Sequence, residues 1–558
     1  MSDTSALSDT GIVTGTNLPN MIPHTILTLN EYFLCNNVHD GIMTIRKTKN
    51  SNGILKLVFI GISFLIETGI LLLLFAPGIN RYYEAIITIS RLLAFLLVIG
   101  IYSQNRTGSI KTPWIILILI LPAVGVSLYI LIGLSGSTGR MRKRYEAIDK
   151  IISPYLEQDS LTLASLEKEH LSCAGISKYL IRESGYPVYK NTKVEYYSDA
   201  SEGLKAQKEA IRNAKTFIFI EYFAIENASS WQSLEEILEE KAKEGVEVRV
   251  FYDDIGSVGY INHDFVKRLE SKGIRCRVFN PMVFIINMFL DNRDHRKMTI
   301  VDGKIGFTGG YNIADEYFNI TSPYGHWKDT GVRIEGEAVL PMTLTFLEMW
   351  NAVRADDEGD ENIARFFPEY PPNPAVHGYV QFYADNPIDK KPVGEDVYIN
   401  MISRARKYIY IMTPYLIITD EMNRVLGLAA KRGVDVRLIT PGIPDKKIVY
   451  KLTRSYYNGL ARNGVRIFEY TPGFCHAKMC VSDDIIAICG TINLDYRSLY
   501  HHFEDGCLLI GNEAVLDMKH DFDVTFSQCR EVTEKYTTGR SAILRLSQLI
   551  LRLFAPLI

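Results

Sequence analysis

The sequence predicts an α/β protein of two tandem halves related by pseudo-twofold symmetry and preceded by N-terminal transmembrane helices. Three observations carry this expectation. One octapeptide pattern, HxKxxxxD, occurs at residues 295–302 and again at 476–483, each time followed by Gly-x-x-Asn at 309–312 and 490–493. Similarity between the halves extends well beyond those motifs. Ahead of both lie apolar segments of roughly bilayer-spanning length.

In chain order, residues 1–53 form an N-terminal extension. Residues 1–20 are rich in Ser, Thr, Asp, Gly and Asn and are expected to be disordered. No cleavable signal is evident, because residues 1–50 lack an apolar core ahead of a small-residue site. Residues 54–135 form the membrane region. Segments 57–75 and 85–102 each approach the ~20 residues that span a bilayer. Segment 113–134 is a third apolar stretch that Pro113, Pro122 and Gly125 could break into an interfacial or re-entrant element.

Flanking charge sets the expected topology. Arg46, Lys47, Lys49 and Lys56 precede the first segment, and Arg106 and Lys111 separate the second from the third. Arg140, Arg142, Lys143 and Arg144 follow the third, whereas only Arg81 lies between the first two. The positive-inside rule favours two spans with the third segment entering and leaving on one side. Three full spans with an external N-terminus is the alternative, and both place the rest of the chain in the cytoplasm. Glu67 and Arg91 fall at similar depth in an antiparallel hairpin and are expected to pair, since ionisable groups within a bilayer are costly alone.

Residues 136–190 connect to a first domain at 191–354. Residues 355–377, acidic and then Pro-rich, read as a linker to a second domain at 378–530. Each half alternates helical and strand patterns, as in layered α/β folds. AKTFIFI at 214–220 resembles ARKYIYI at 405–411, and AKEGVEVR at 242–249 parallels AKRGVDVR at 430–437. KGIR at 272–275 echoes NGVR at 463–466, and EAVL occurs at both 337–340 and 513–516. In the tail, 531–558, Ser541, Arg545, Gln548 and Arg552 share one helical face and Ile543, Leu546, Ile550 and Leu553 another. That is the pattern of a basic amphipathic helix lying in the headgroup layer, with packing on the protein itself as the alternative.

The repeated motif carries chemistry. Apolar, partly β-branched residues after each lysine suit a buried strand. Side chains alternate along a strand, so His295 and Lys297 point to one face, as do His476 and Lys478. Imidazole is a nucleophile and a proton shuttle near neutral pH, and an ammonium neutralises a phosphate oxygen. Asn312 and Asn493 could donate amide hydrogens to the same oxygens. If the halves meet, one histidine can attack phosphorus while the other protonates the leaving oxygen. The cations present make a metal unnecessary, so no metal or cofactor is expected. Asp302 and Asp483 complete the candidate catalytic set, more as supports of the motif architecture than as substrate contacts. Each histidine also needs its second ring nitrogen held. Asp329, downstream of His295, and Glu504, downstream of His476, fall at matching places once a five-residue deletion in the second half is counted.

These motifs resemble the phospholipase D superfamily. FTGGYNIADEY at 307–317, WKDTG at 327–331 and GTINLDYRS at 490–498 narrow the resemblance to bacterial cardiolipin synthases over residues 54–558. The resemblance implies two tandem phospholipase D-like α/β domains and transfer of a phosphatidyl group between two phosphatidylglycerol molecules, giving cardiolipin and glycerol through a phosphohistidine. His295 is taken as nucleophile and His476 as acid/base, with the reverse left open. His501 and His502 depart from the family pattern, where a less polar pair precedes Phe-Glu, which puts local substrate contacts in doubt. The implied partners are phosphatidylglycerol and the cell membrane, with a homo-oligomer open.

Composition constrains the rivals. The 558 residues are 47% hydrophobic and 22% charged, with net charge −3. A nuclease would be expected to be strongly basic to bind phosphate backbones. A phospholipase D that only hydrolyses uses the same residues and is the main alternative. A non-catalytic membrane scaffold predicts decay of one motif, yet both are intact. The eight cysteines form no CxxC pair, arguing against a disulfide framework. Cys475, His476 and Cys480 could suggest zinc, but His476 already belongs to the repeat.

Overall fold

The computed structural model describes Gly69 and residues 82–558, except 106, 131–137, 263, 282–291, 354–359, 361, 390, 539–545 and 558. The apolar segment 57–75, Glu67 with its expected pairing to Arg91, and the start of the tail helix lie outside the described residues.

Helix Tyr83–Tyr102 is, among the described residues, the one helix long and apolar enough to cross a bilayer. Leu92, Phe95, Leu96 and Ile99 on it are exposed, as is Arg91. The third apolar stretch is not one helix. Gly108–Ile120 ends at Leu121, and Pro122 opens a second piece, Pro122–Leu128. Proline lacks the N–H that would continue the helix and pushes its predecessor out of the helical region. Pro113 lies inside the first piece without ending it. Gly125 lets the second piece lie on the first, since a Cβ there would sit 2.6 Å from Ile118 Cα. Thirteen helical residues rise only about 20 Å, short of the ~30 Å hydrocarbon core.

The first domain is a seven-stranded sheet. Its spatial order is Thr192–Tyr197, Gly331–Gly336, Ile305–Gly309, Lys297–Val301, Phe217–Tyr222, Glu247–Asp253 and Arg275–Phe279. The last three run parallel to one another, and the other neighbours are antiparallel. The second domain repeats this order with Tyr379–Asp385, His502–Ile510, Ile486–Gly490, Met479–Ser482, Tyr408–Met412, Asp435–Pro441 and Arg466–Tyr470, and adds Cys529–Glu531 at the edge. Each HxKxxxxD strand is thus central, flanked by a hairpin partner and by the first parallel strand.

The repeated segments acquire physical roles. Gly245 and Gly433 have φ of +89° and +91°, where a side chain would be strained. They end helices Ser229–Lys243 and Asp420–Lys431 and turn the chain into Glu247–Asp253 and Asp435–Pro441. EAVL opens the equivalent helices Val339–Val353 and Glu513–Ser527. Twelve of the fifteen residues of Val339–Val353 are buried, including Leu344, Phe346 and Trp350. Burying a side chain of that size contributes about 1.5–3 kcal/mol.

Within the expected linker, the described residues Asp360 and Phe366 dock on the first domain. Phe366 is buried against Phe217 and Phe219, at ring separations of 5.0 and 5.1 Å. Arg249 forms a two-point ion pair with Asp360, both contacts at 2.7 Å. In the tail, helix Leu546–Leu553 packs Arg552 on the Tyr456 ring at 4.3 Å while Leu546, Leu549 and Ile550 stay exposed.

Candidate active site

Two short parallel pairings join the halves. Arg293–Asp294, just before His295, pairs with His502–Phe503, just before Glu504. Gly473–Cys475, just before His476, pairs with His326–Lys328, just before Asp329. The His295 N–H donates to Phe503 O at 2.9 Å, and the His476 N–H donates to Lys328 O at 2.7 Å. Each motif histidine is therefore aligned with a strand of the other half.

This alignment crosses the carboxylates. His295 Nδ1 lies 2.9 Å from Glu504 Oε2, and His476 Nδ1 lies 2.8 Å from Asp329 Oδ2. The offsets that locate the two carboxylates in sequence run within each half, whereas the contacts run between halves. With Nδ1–H donating to a carboxylate, Nε2 is left with its lone pair. Glu504 is held in turn by the Ser498 and Thr491 hydroxyls, each at 2.5 Å, and Asp329 by the Thr330 N–H at 2.9 Å. No periodicity in the sequence pointed to Ser498 or Thr491.

Lys297 Nζ donates to the His295 carbonyl at 2.5 Å, and Lys478 Nζ makes the equivalent bond to the His476 carbonyl. Lys478 Nζ also lies 2.7 and 3.0 Å from the two His476 ring nitrogens and 3.4 Å from Gly310 O. All four side chains are at least nine-tenths buried.

Burial and the two motifs' mutual charges set the protonation states. Burial, then Lys297, Lys478 and His476, hold His295 well below the usual imidazole range. Burial and Lys478 push His476 down to about 3, against the pull of Asp329. Burial lowers Lys297 to about 8 and Lys478 to about 7, with Glu504 and Asp329 among the groups that oppose it. Burial alone would raise Asp329, but His476 and Lys478 hold it below its ordinary value. Each motif thus titrates in the field of the other. Both imidazoles are neutral at neutral pH, the form that can attack an electrophile.

The remaining candidates fall into two groups. Asp302 and Asp483 lie past the far ends of the motif strands. Asp302 accepts the N–H groups of Lys215, Thr216 and Phe217 at 2.7–3.0 Å, and Asp483 those of Arg406, Lys407 and Tyr408 at 2.8–3.0 Å. Both have positive φ, +53° and +56°. They clamp the turn that opens the neighbouring parallel strand. Asn312 and Asn493 are buried at the site. Asn312 receives the Ala224 N–H at 3.1 Å and donates to Tyr317 OH at 2.8 Å, whereas Asn493 Oδ1 is buried without a partner.

The glycines preceding these asparagines mark close approaches. A Cβ on Gly309 would lie 2.4 Å from Thr330 O, and one on Gly490 2.4 Å from Asp505 O. A Cβ on Gly310 would lie 2.0 Å from Asp329 Oδ1.

Aromatic rings wall the histidines. Phe223 stands 5.0 Å from His295, and Tyr317, Trp327 and Phe474 stand 5.2, 5.4 and 5.9 Å from His476. Beneath His295, Arg296 is fully buried between Glu221, at 2.8 Å, and Asp294, at 3.0 Å. His295, His502 and Glu504 place three potential metal-ligand atoms within 4.8 Å of one another. The Glu504 oxygens there are already engaged by Ser498, Thr491 and His295.

A duplicated α/β chain with paired HxKxxxxD motifs converging across its halves is a phospholipase D-like protein. The family described as "Cardiolipin synthase, PLD-like domain" matches residues 208–350 and 398–525. A cardiolipin synthase of Halalkalibacterium halodurans is 31% identical over 471 residues, which are 82% of this chain and 91% of that protein. A Streptococcus mutans protein described only as uncharacterized is 42% identical over 456 residues, 82% of this chain and 98% of that one. The chain belongs to the cardiolipin synthase family. The crystal structure of phosphatidylserine synthase from Haemophilus influenzae Rd KW20 covers 69% of this chain and 97% of its own, at 15% identity and a TM-score of 0.51. At that identity the likeness concerns the fold alone.

Proposed function

We propose that the protein is a phosphatidyltransferase that makes cardiolipin and glycerol from two molecules of phosphatidylglycerol. The observation that carries this reading is the crossed pair of histidine–carboxylate contacts, His295–Glu504 and His476–Asp329, with Lys297 and Lys478 beside them. His295 Nε2 attacks phosphorus, held in line by Glu504. The P–O bond to the glycerol headgroup breaks, and His476, on the other side, which takes up a proton from solvent at Nε2 as the phosphodiester anion binds, passes that proton to the leaving oxygen. The incoming phosphodiester anion raises the proton affinity of both histidines and both lysines. His476 then takes the proton from a hydroxyl of the second phosphatidylglycerol, which attacks the phosphohistidine and releases His295. Lys297, Lys478, Asn312 and Asn493 neutralise or hydrogen-bond the non-bridging oxygens. Water in place of the second lipid gives phosphatidic acid.

A lipid substrate places the chain at the cell membrane, with helix Tyr83–Tyr102 as one span and the catalytic domains on the cytoplasmic side. Packing of residues 555–557 against both Gly108–Ile120 and Tyr496–Tyr500 favours this, because it joins the apolar region to the wall of the site. The exposed Leu546, Leu549 and Ile550 extend that apolar surface.

The assignment of the nucleophile is tested by rapid quench with phosphate-labelled phosphatidylglycerol. H476A should accumulate label on His295, acid-labile and base-stable as a phosphohistidine is, and H295A should hold none. Label on His476 in H295A would reverse the roles.

A further inference from the structure

The transfer proposed above brings two phosphates to a centre whose paired motifs supply cations for one. Lys297 and Lys478 sit beside the two histidines and serve the reacting phosphate. The second lipid arrives with a phosphate of its own, separated from its attacking hydroxyl by the three carbons of one glycerol. An anion left unpaired beside buried aromatic walls is unfavourable. It calls for a cation one glycerol length out from the reacting phosphorus, on the side where the acceptor enters.

Lys446 is placed to supply that charge. Strand Asp435–Pro441 leads through residues 442–446 into helix Lys447–Arg462. Asp445 fixes this loop: one carboxylate oxygen accepts the Lys446 N–H at 2.6 Å, and the other accepts the Tyr415 hydroxyl. Lys446 Nζ lies 5.3 Å from the centre of the Tyr415 ring. Tyr415 stands 6.3 Å from Phe474, and Phe474 stands 5.9 Å from His476. The ammonium therefore caps the aromatic wall of the histidine that serves the acceptor hydroxyl. Its field reaches the reacting centre, since Lys446 is among the cations that hold His295 down. Lys446 is exposed, and among the described residues no carboxylate or carbonyl engages its ammonium.

This cation belongs to one half only. The corresponding loop of the first half, residues 254–264 between Glu247–Asp253 and Phe265–Ser271, reads DIGSVGYINHD and contains no lysine or arginine. The motif histidines, motif lysines and crossed carboxylates are all duplicated, as suits one phosphate handled from two sides. The need for a further cation is not duplicated, because only the acceptor brings a second phosphate. Its hydroxyl enters where the glycerol left, opposite His295 and beside His476.

We propose that Lys446 is an acceptor-selecting residue, its ammonium binding the phosphate of the second phosphatidylglycerol while that lipid's hydroxyl attacks the phosphohistidine. The proposal rests on the phosphatidyl-transfer reading above. An ammonium on a flexible stem is a point charge with three donors, suited to a phosphate that arrives from the bilayer. In this step the new O–P bond forms as the P–N bond to His295 breaks, and the hydroxyl proton passes to His476. Water or a simple alcohol follows the same course without using Lys446. The residue therefore favours lipid over water as acceptor, and cardiolipin over phosphatidic acid.

The test offers the phosphoenzyme two acceptors at once. Full-length enzyme is incubated with phosphatidylglycerol vesicles and a fixed concentration of ethanol, and cardiolipin and phosphatidylethanol are quantified. Both products arise from one intermediate, so their ratio reads acceptor choice and is independent of donor binding and of the folded fraction. K446Q should lower the ratio of cardiolipin to phosphatidylethanol by about three- to tenfold, the loss of one solvent-accessible ion pair of good geometry. K446R keeps the charge and should stay within about twofold of wild type. Should K446Q not fold, K446M reads the same ratio. An unchanged ratio in K446Q or K446M, or a ratio in K446R as low as theirs, would overturn the proposal. Failure of the underlying reading looks different: wild-type enzyme would then make no cardiolipin with or without ethanol.

Discussion

His295 and Glu504 are 209 positions apart in sequence and 2.9 Å apart in space, and His476 and Asp329 repeat the arrangement with the halves exchanged. Neither half contains a complete histidine–carboxylate pair of its own. Each half's strand leading into its motif is bonded to the strand that carries the other half's carboxylate. The site therefore exists only when the domains are docked.

The crossing assigns each carboxylate to one step. Glu504→Ala should slow formation of the phosphoenzyme on His295 by about 10²- to 10⁴-fold, the range for losing the group that orients a catalytic imidazole. Asp329→Ala should impair the proton transfers of His476, and so also slow discharge of any phosphoenzyme that forms. Rapid-quench time courses separate the two. Accelerated discharge in D329A would contradict the crossed assignment.

Asp302 and Asp483 clamp backbone rather than substrate. Asp302→Ala strands three N–H groups at a turn and should lower stability by about 1–3 kcal/mol. The kcat of the folded fraction should stay within severalfold of wild type. Thermal unfolding in detergent and kcat measured below the transition check both halves of the statement.

The pH profile follows from the lysines. A lysine is cationic below its pKa and neutral above it. Lys478 at about 7 and Lys297 at about 8 lose their charge across that interval in the free enzyme. The kcat/KM for an anionic lipid should therefore be highest below pH 7 on this account and fall as pH rises through 7–8, as a macroscopic limb shared by the pair. Lys478→Arg, cationic throughout, should lower activity but weaken that limb. An unchanged limb in K478R would remove Lys478 from it.

Gly310 tests the closeness of the site. A methyl there would overlap the Asp329 carboxylate. Gly310→Ala should leave the protein folded and cut kcat by about 10²-fold, the order expected when a catalytic group is displaced by about 1 Å. Full activity in G310A would mean that the carboxylate can relocate without consequence.

Much of this arrangement was legible in the sequence. Octapeptide repetition marked His295, Lys297, His476 and Lys478, and the Gly-x-x-Asn echo marked the hairpin strands that follow. The layered halves followed from the alternating patterns around them. What remained hidden depends on contacts between halves, which have no period along the chain. The offsets of Asp329 and Glu504 locate the residues but are silent about which histidine each meets. The parallel pairing of 293–294 with 502–503 involves only two residues a side, too few to leave a pattern. Arg296 between Glu221 and Asp294 reads in sequence as an ordinary charged residue, because only the fold brings its carboxylates to it. Asn312 looked like a free donor, yet part of its capacity is already used by Ala224 and Tyr317.

The most direct measurement is incubation of the purified full-length protein with phosphatidylglycerol alone, no metal added, beside H295A and H476A, with all products quantified. Cardiolipin and glycerol in equal amounts from the wild type, with cardiolipin lost in both variants, is the expected result. Phosphatidic acid without cardiolipin, or cardiolipin persisting when either histidine is removed, would contradict a transferase built from two half-sites.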